Sequence, residues 1–220
     1  MTLKVFWQDP YLTHLATRVT QVNDADVMVE ASIFYAASGG QESDAGAFDG
    51  LTVTQARWAG RELVYTLPPD HGLRPGQALT MEIDWVRRYR LMRLHFAAEI
   101  VLELMYKRRP GVDKTGAHIA ADKARIDFAL DDSVAPLLPA LAADANDIIA
   151  ADLAIVSAFS DPVNERRYWQ IEGFAQVPCG GTHLRRSGEV GAVALKRKNV
   201  GKGRERIEIT LAEGARPALA

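Results

Sequence analysis

Cys179 and His183 stand four residues apart in the run Cys179-Gly180-Gly181-Thr182-His183, and Cys179 is the only cysteine of the chain. A thiolate and an imidazole at such spacing are ordinary zinc donors, with Zn–S near ~2.3 Å and Zn–N near ~2.0 Å. The two glycines are expected to let the backbone fold tightly enough for both side chains to face one ion. The competing reading is a buried free cysteine beside a loop histidine. A second pair lies upstream, where His95 and Glu99 are spaced to share one face of a helix. Carboxylate oxygen is also a normal zinc donor, although a histidine in a core with Glu99 paired to Arg93 or Arg108 would have the same spacing. Together His95, Glu99, Cys179 and His183 supply two nitrogens, one oxygen and one sulfur, a tetrahedral set for one zinc ion. Should only three converge, Glu99 is the one expected to stay out.

Positioning these side chains falls to two kinds of segment. Up to about residue 85 the chain reads as short strands: Leu3–Trp7, His14–Val22, Val27–Ser32, Leu51–Trp58, Glu62–Leu67 and Ala78–Trp85. Turn formers such as Asn23-Asp24, Asp49-Gly50, Ala59-Gly60 and Pro68-Pro69 separate them, which predicts a small antiparallel barrel or sandwich. From Asp84 to Arg109 the period changes, with apolar residues at Leu91, Leu94, Ala98, Leu102 and Met105, between a capping Asp84 and a terminating Pro110-Gly111. A β-hairpin follows (Ala117–Ala120 and Ala124–Leu130), then a helix over Ser133–Ala150. Strands near Leu153–Phe159, Tyr168–Glu172, Val190–Lys198 and Glu205–Leu211 close the pattern, and Asp161-Pro162 reads as a helix-start turn. The fold class is α+β: a β-rich, barrel-like part over residues 1–86, then an α+β part over residues 87–220 with helices covering an antiparallel sheet.

Composition bounds the function. Of 220 residues, 48% are hydrophobic and 25% charged, the balance of a globular protein with a real core. One cysteine allows no intramolecular disulfide, and no apolar run has the length of a signal peptide or a membrane span, so the cytoplasm is the expected compartment. A net charge of −2 argues against indiscriminate coating of nucleic acid. The cations are nevertheless bunched: Arg87, Arg88, Arg90 and Arg93; Lys107, Arg108 and Arg109; and Lys196, Arg197, Lys198, Lys202, Arg204 and Arg206. Such clusters are solvated element edges or a local phosphate-binding face.

Four motifs, two of them containing the pairs above, give the chain a resemblance. Phe34-Tyr35-Ala36-Ala37-Ser38-Gly39-Gly40-Gln41-Glu42-Ser43-Asp44-Ala45-Gly46 is similar to a glycine-rich FY-x-x-x-GGQ-x-x-D-x-G motif. Arg93-Leu94-His95-Phe96-Ala97-Ala98-Glu99 stands where R-x-H-T-A-x-H is usual. Val177-Pro178-Cys179-Gly180-Gly181-Thr182-His183 and Gly201-Lys202-Gly203-Arg204-Glu205-Arg206-Ile207 resemble C-G-G-T-H and G-K-G-x-x-R-I. In this order and spacing, from about residue 28 to residue 210, they resemble the free-standing alanyl-tRNA editing proteins, relatives of the editing domain of alanyl-tRNA synthetase. Two positions depart from that pattern: Glu99 stands for the second histidine and Phe96 for the threonine.

The resemblance implies a zinc-dependent hydrolase that removes serine or glycine from mischarged tRNA for alanine, with no membrane and no obligatory protein partner. It also implies a substrate-facing role for Gly39, Gly40, Asp44 and Thr182. Serine differs from alanine by one hydroxyl, which an apolar synthetase pocket rejects only about a hundredfold. A second site with polar groups aimed at that hydroxyl prefers serine, and Ser38 and Gln41 are the catalytic-site candidates for that task. Tyr35, Phe96 and Trp169 are candidates for stacking on the unpaired 3′ end or for the core. His14 and His71 read as surface residues, and His118 has no local argument as a ligand. Two rival functions fit the same residues: an RNA-binding module that has lost hydrolysis through Glu99, and a metal hydrolase for another aminoacyl ester. Gly201-Lys202-Gly203 precedes a strand pattern and so fails as a phosphate loop.

Overall fold

The computed structural model describes residues 1–212. They form an α+β protein dominated by antiparallel sheets. The chain divides into two compact units, Met1–Ser38 with Glu42–Arg88, and Gly39–Gln41 with the residues from Tyr89 on.

The first unit contains β1 (Leu3–Lys4), β2 (His14–Asn23), β3 (Asp26–Val29), β4 (Ala31–Ser32), β5 (Gly46–Phe48), β6 (Leu51–Thr52), β7 (Gln55–Ala59), β8 (Glu62–Thr66) and β9 (Ala78–Ile83). Seven of these make one sheet in the order β6-β5-β9-β2-β3-β8-β7, while β1 and β4 form a short parallel pair. The long β2 serves two partners. His14–Arg18 pair with β9, and Val19–Asn23 pair with β3 across a register shift between Val19 and Gln21; such a shift adds local twist. The end strands β6 and β7 do not pair with each other, so the barrel-like part is a curled sheet that does not close. Its inner face follows strict alternation: Leu79, Met81 and Ile83 of β9 are buried and Thr80 and Glu82 exposed. Phe6, Val27, Phe48, Leu63 and Tyr65 complete that core. Asp49 and Gly50 join β5 to β6 with φ of 47° and 81°, the two-residue turn that Asp-Gly favours. Strand β5 itself is unannounced by the sequence. It opens on Gly46, where a Cβ would lie 2.9 Å from the Ile83 Cα, and only a glycine admits that approach.

Helix α1 (Trp85–Arg108) begins where expected. Asp84 Oδ1 accepts from the Arg87 amide at 3.0 Å, satisfying an orphan donor of the first turn. Gly111, at φ 81°, follows its end. Between Leu91 and Met105 nearly every side chain is buried, Arg93 and His95 among them, so the helix runs through the interior with polar groups that need partners there. The second unit adds β10 (Asp113–Ile119), β11 (Ala124–Ala129), α2 (Leu138–Ala150), β12 (Val156–Asp161), β13 (Arg166–Ile171), β14 (Ala175–Pro178), β15 (Val193–Asn199) and β16 (Arg204–Leu211). They form two antiparallel sheets, β10-β11-β16-β15 and β12-β13-β14. Helix α2 buries Leu141, Ala145 and Ile149, and Asn146 ties it to β15 by accepting from the Val193 amide at 2.9 Å and donating to its carbonyl at 3.0 Å. The helix expected from Ser133 instead starts with a 3-10 turn at Ala135–Leu137. Asp161-Pro162 is not a helix start: Asp161 Oδ1 accepts from the Asn164 amide at 3.1 Å and so shapes the β12–β13 turn. Strand β14, four residues ending in proline, is also unannounced, yet it delivers Cys179.

Candidate metal centre

Cys179 leaves β14 held by its own backbone, its amide donating to the Arg167 carbonyl at 2.9 Å. Arg167 returns the contact by donating Nη1 to the Gly181 carbonyl at 3.0 Å. The loop therefore hangs on the neighbouring strand β13. It carries Cys179 and His183 to the buried face of α1 that presents His95. The Cys179 Sγ lies 3.5 Å from His95 Nε2 and 3.3 Å from His183 Nε2. All three donor atoms lie within 4.8 Å of one another, and both histidines are buried. A tetrahedral zinc with the usual bond lengths spaces sulfur and nitrogen donors about 3.5 Å apart, so this group fits such an ion and could hold a metal.

The glycines act differently from the tight turn expected of them. Neither Gly180 nor Gly181 has a positive φ. A Cβ on Gly181 would lie 2.7 Å from His95 Nδ1 and 3.1 Å from Gln41 Oε1, whereas one on Gly180 would meet nothing within 4 Å. Gly181 is needed for space, and Gly180 is not.

Each imidazole is oriented through its other nitrogen. His95 Nδ1 is 2.6 Å from Gln41 Oε1, and the Gln41 amide nitrogen donates to Thr182 Oγ1 at 3.0 Å. His183 Nδ1 is 3.0 Å from Ser157 Oγ. With Nδ1 protonated against these acceptors, Nε2 is the nitrogen that each ring turns toward Cys179, the usual arrangement around a metal-ligating histidine. Gly40 lets Gln41 reach this place. Its φ is 92°, and a Cβ there would lie 2.8 Å from the Ala117 carbonyl oxygen; Gln41 then forms a bridge with Ile119 on the edge of β10. Ser157 carried no signal in the sequence, since one serine in a strand has no periodicity.

Glu99 is outside the three-residue group. Its Oε1 lies 3.2 Å from His95 Nε2 and 3.7 Å from Cys179 Sγ, and its Oε2 accepts from Trp169 Nε1 at 3.2 Å. Burial alone would lower the His95 pKa, but the Cys179 sulfur and Glu99 carboxylate against its Nε2 raise it to about 10. Burial, with the charges of His95 and Arg167, holds His183 well below its usual value. Burial would raise Glu99, yet its bonds to His95 and Trp169 bring it below the ordinary carboxylate value. Donor atoms must be free of protons, so an ion at His95 Nε2 competes with that proton.

The other sequence candidates fall elsewhere. Asp44 is buried in the first unit, where its carboxylate accepts from the Tyr35 amide at 2.6 Å and pairs with Arg88; it does not face open space. Ser38 is exposed in that same unit, and Gly39 lies in a positive-φ turn at 61°. The aromatic candidates for stacking are core: Tyr35 is buried, and Phe96 and Trp169 are fully so. Phe96 packs edge-on against Trp169, centroids 5.0 Å apart, and lies 6.1 Å from His183, an apolar wall behind the cluster. Of the surface histidines His14 is exposed, and His71 is half-buried with Nε2 on the Asp24 carbonyl.

Comparison with known proteins supplies the family. Residues 168–208 match the family described as the threonyl and alanyl tRNA synthetase second additional domain. Over 96% of its length the chain is 31% identical to the alanyl-tRNA editing protein AlaX-M of Methanosarcina acetivorans, covering 99% of that protein. The chain belongs to the AlaX-type alanyl-tRNA editing proteins. The AlaX-M protein of Pyrococcus horikoshii is 27% identical across 96% of this chain and 98% of its own. The alanine–tRNA ligase of Ignicoccus hospitalis is 28% identical over 88% of this chain, which corresponds to 24% of the ligase. Among the described residues no helix is long and apolar enough to cross a membrane.

Proposed function

We propose that this AlaX-type protein is a trans-editing hydrolase that deacylates tRNA for alanine mischarged with serine or glycine, using zinc held by His95, Cys179 and His183. The observation that carries it is the convergence of those three donors on Nε2, Sγ and Nε2, with Gln41 and Ser157 behind the rings. The names of the relatives support the substrate. When bound, zinc supplies Lewis-acid polarisation of an ester carbonyl or lowers the pKa of a water. The protein's own residues do the rest. Gln41 and Ser157 hold the two imidazoles in one tautomer, Phe96 and Trp169 keep bulk water from the back of the cluster, and Thr182 holds the Gln41 amide. Gln41 is thereby a positioning residue, because both ends of its amide are occupied. The reaction adds water across the ester, yielding a free amino acid and a free terminal ribose hydroxyl.

Serine preference would come from a polar group left unpaired when alanine binds, worth about 1–3 kcal/mol, or ten- to a hundredfold in rate. The test is release of labelled amino acid from seryl-, glycyl- and alanyl-tRNA for alanine, with and without a chelator. Fast, chelator-sensitive release of serine or glycine with alanine spared is expected. Equal rates for serine and alanine would defeat the editing reading, and no release with zinc bound would favour an RNA-binding module.

A further inference from the structure

Two of the three basic runs are engaged by partners within the protein. In the first, Arg88 is buried against Asp44, Arg87 pairs with Glu42 at 2.7 Å, Arg90 donates to the Ala121 carbonyl, and Arg93 donates to the Val190 carbonyl. In the second, Lys107 donates to the Phe174 carbonyl and lies over its ring, Arg108 pairs with Asp144, and Arg109 pairs with Asp132. The third lies on β15 and β16, where alternation divides it between two faces. Arg197 takes the inner side, forked onto Glu205 at 2.5 and 2.6 Å. Lys196 and Lys198 take the other, and both are exposed.

Register fixes what shares that outer face. Lys196 stands opposite Glu208, which stands opposite Arg125; Lys198 stands opposite Arg206, which stands opposite Asp127; Arg204 begins the next row. Asp113 joins the Arg204 row through Ala129, so five cations meet three carboxylates on one side of the sheet. Two of the three are engaged by cations, Glu208 with Lys123 at 3.0 Å and Asp127 with Arg206 and Arg125. Lys196, Lys198 and Arg204 extend their charge into solvent, with Lys202 in the adjoining turn. None of the exposed large apolar residues is on this face. The same sheet reaches the metal centre, since its edge strand β10 bridges Gln41 at Ile119. Three strand spacings put β15 about 14 Å from that edge.

The geometry points to the outer face of β10-β11-β16-β15 as the docking surface for the RNA phosphodiester backbone of the stem that adjoins the acylated 3′ end. This rests on the editing reading above. A polyanion matches the face because its cations outnumber its carboxylates and, among the described residues, no large apolar side chain is exposed on it. The phosphates are met by Lys196, Lys198 and Arg204, with Arg197 excluded by its inward pairing.

The test measures binding of uncharged tRNA for alanine to the full chain between 50 and 200 mM salt. Lys196→Gln, Lys198→Gln and Arg204→Gln are combined in one variant, with Arg74→Gln and Arg166→Gln combined as the control off this face. Losing three phosphate contacts lowers the log–log salt slope by about 2 to 3, so the parent's advantage shrinks roughly 20- to 40-fold across that range. The variant should keep the parent's thermal melt and its rate on a seryl ester of a short 3′-terminal fragment that lacks the stem. An unchanged slope, or an equal loss in the control, overturns the proposal, as does equal slowing on the short fragment. Failure of the editing reading looks different: the parent binds tRNA with the full slope and releases no amino acid.

Discussion

Gly181→Ala tests the metal centre through space alone. Gly181 has an ordinary backbone conformation, so alanine is not excluded by φ. What excludes it is the His95 ring: the new Cβ would lie 2.7 Å from Nδ1, closer still to Cε1, and 3.1 Å from Gln41 Oε1. Non-bonded carbon contacts settle near ~3.5–4.0 Å, so the ring or the loop must move by roughly 1 Å. Metal sites accept donor displacements of only about 0.2 Å. The substitution also loosens the bond between Gln41 Oε1 and His95 Nδ1, a class of outer contact worth about 10- to 100-fold in metal affinity by itself. Gly181→Ala is therefore expected to weaken zinc by more than that, and to cost about 1–3 kcal/mol of stability through overpacking. Gly180→Ala is the internal control, since its Cβ meets nothing within 4 Å; it should stay within about 0.5 kcal/mol of the parent. Zinc affinity is read by competition with a chelating indicator and stability by chemical denaturation. If Gly181→Ala binds zinc like the parent, or Gly180→Ala is equally damaging, the close approach to His95 does not govern the site.

Gln41→Leu removes the acceptor at His95 Nδ1 and should weaken zinc about 10- to 100-fold, while Gln41→Glu, which keeps an acceptor, should retain most of the affinity; equal loss in both would refute orientation by hydrogen bonding. Glu99→Ala should reduce metal retention if the carboxylate is a fourth donor, and unchanged zinc affinity would limit Glu99 to a partner of His95. Arg88→Met leaves the fully buried Asp44 carboxylate uncompensated and should cost about 3–5 kcal/mol in urea unfolding; a loss under about 1 kcal/mol would show that Asp44 finds water or another partner.

The elements that hold the site were legible where the sequence repeats a period. The 24-residue helix α1 and the alternating β9 and β16 are such cases, because burial on one face or all round writes itself into residue type. The grouping of Cys179, His183 and His95 was legible from chemistry, since few other residue types can hold a metal ion. What stayed hidden depends on contacts between distant segments. Strand β5 exists because Gly46 lies against Ile83, and Ser157 matters because β12 places it beside His183. The basic runs could be sorted only in the structure for the same reason: charge is visible in a sequence, but the partners that neutralise Arg88, Arg108 and Arg197 are not. The motif singles out Gln41 but does not say which way its amide points, so its contacts with His95 and Thr182 were not readable.

Trp169 connects the two positions at which this chain departs from its family's pattern. Its buried indole N–H donates to Glu99 Oε2 at 3.2 Å, and its ring meets Phe96 edge-on at 5.0 Å. A zinc-ligating imidazole at position 99 would carry hydrogen on its second nitrogen, and a donor would then face the indole donor. A carboxylate has two acceptor oxygens, so Glu99 can turn one toward His95 and Cys179 while the other receives Trp169. Restoring the family residue with Glu99→His alone is thus expected to destabilise the protein by about 1–3 kcal/mol, the cost of a stranded buried N–H. Adding Trp169→Phe removes that donor, and the pair should be less damaging than the sum of the two single changes. A double-mutant cycle by chemical denaturation, with zinc content measured in parallel, reads the coupling. Additive losses, or a Glu99→His protein as stable as the parent, would mean that Trp169 is packing for Phe96 and nothing more to Glu99.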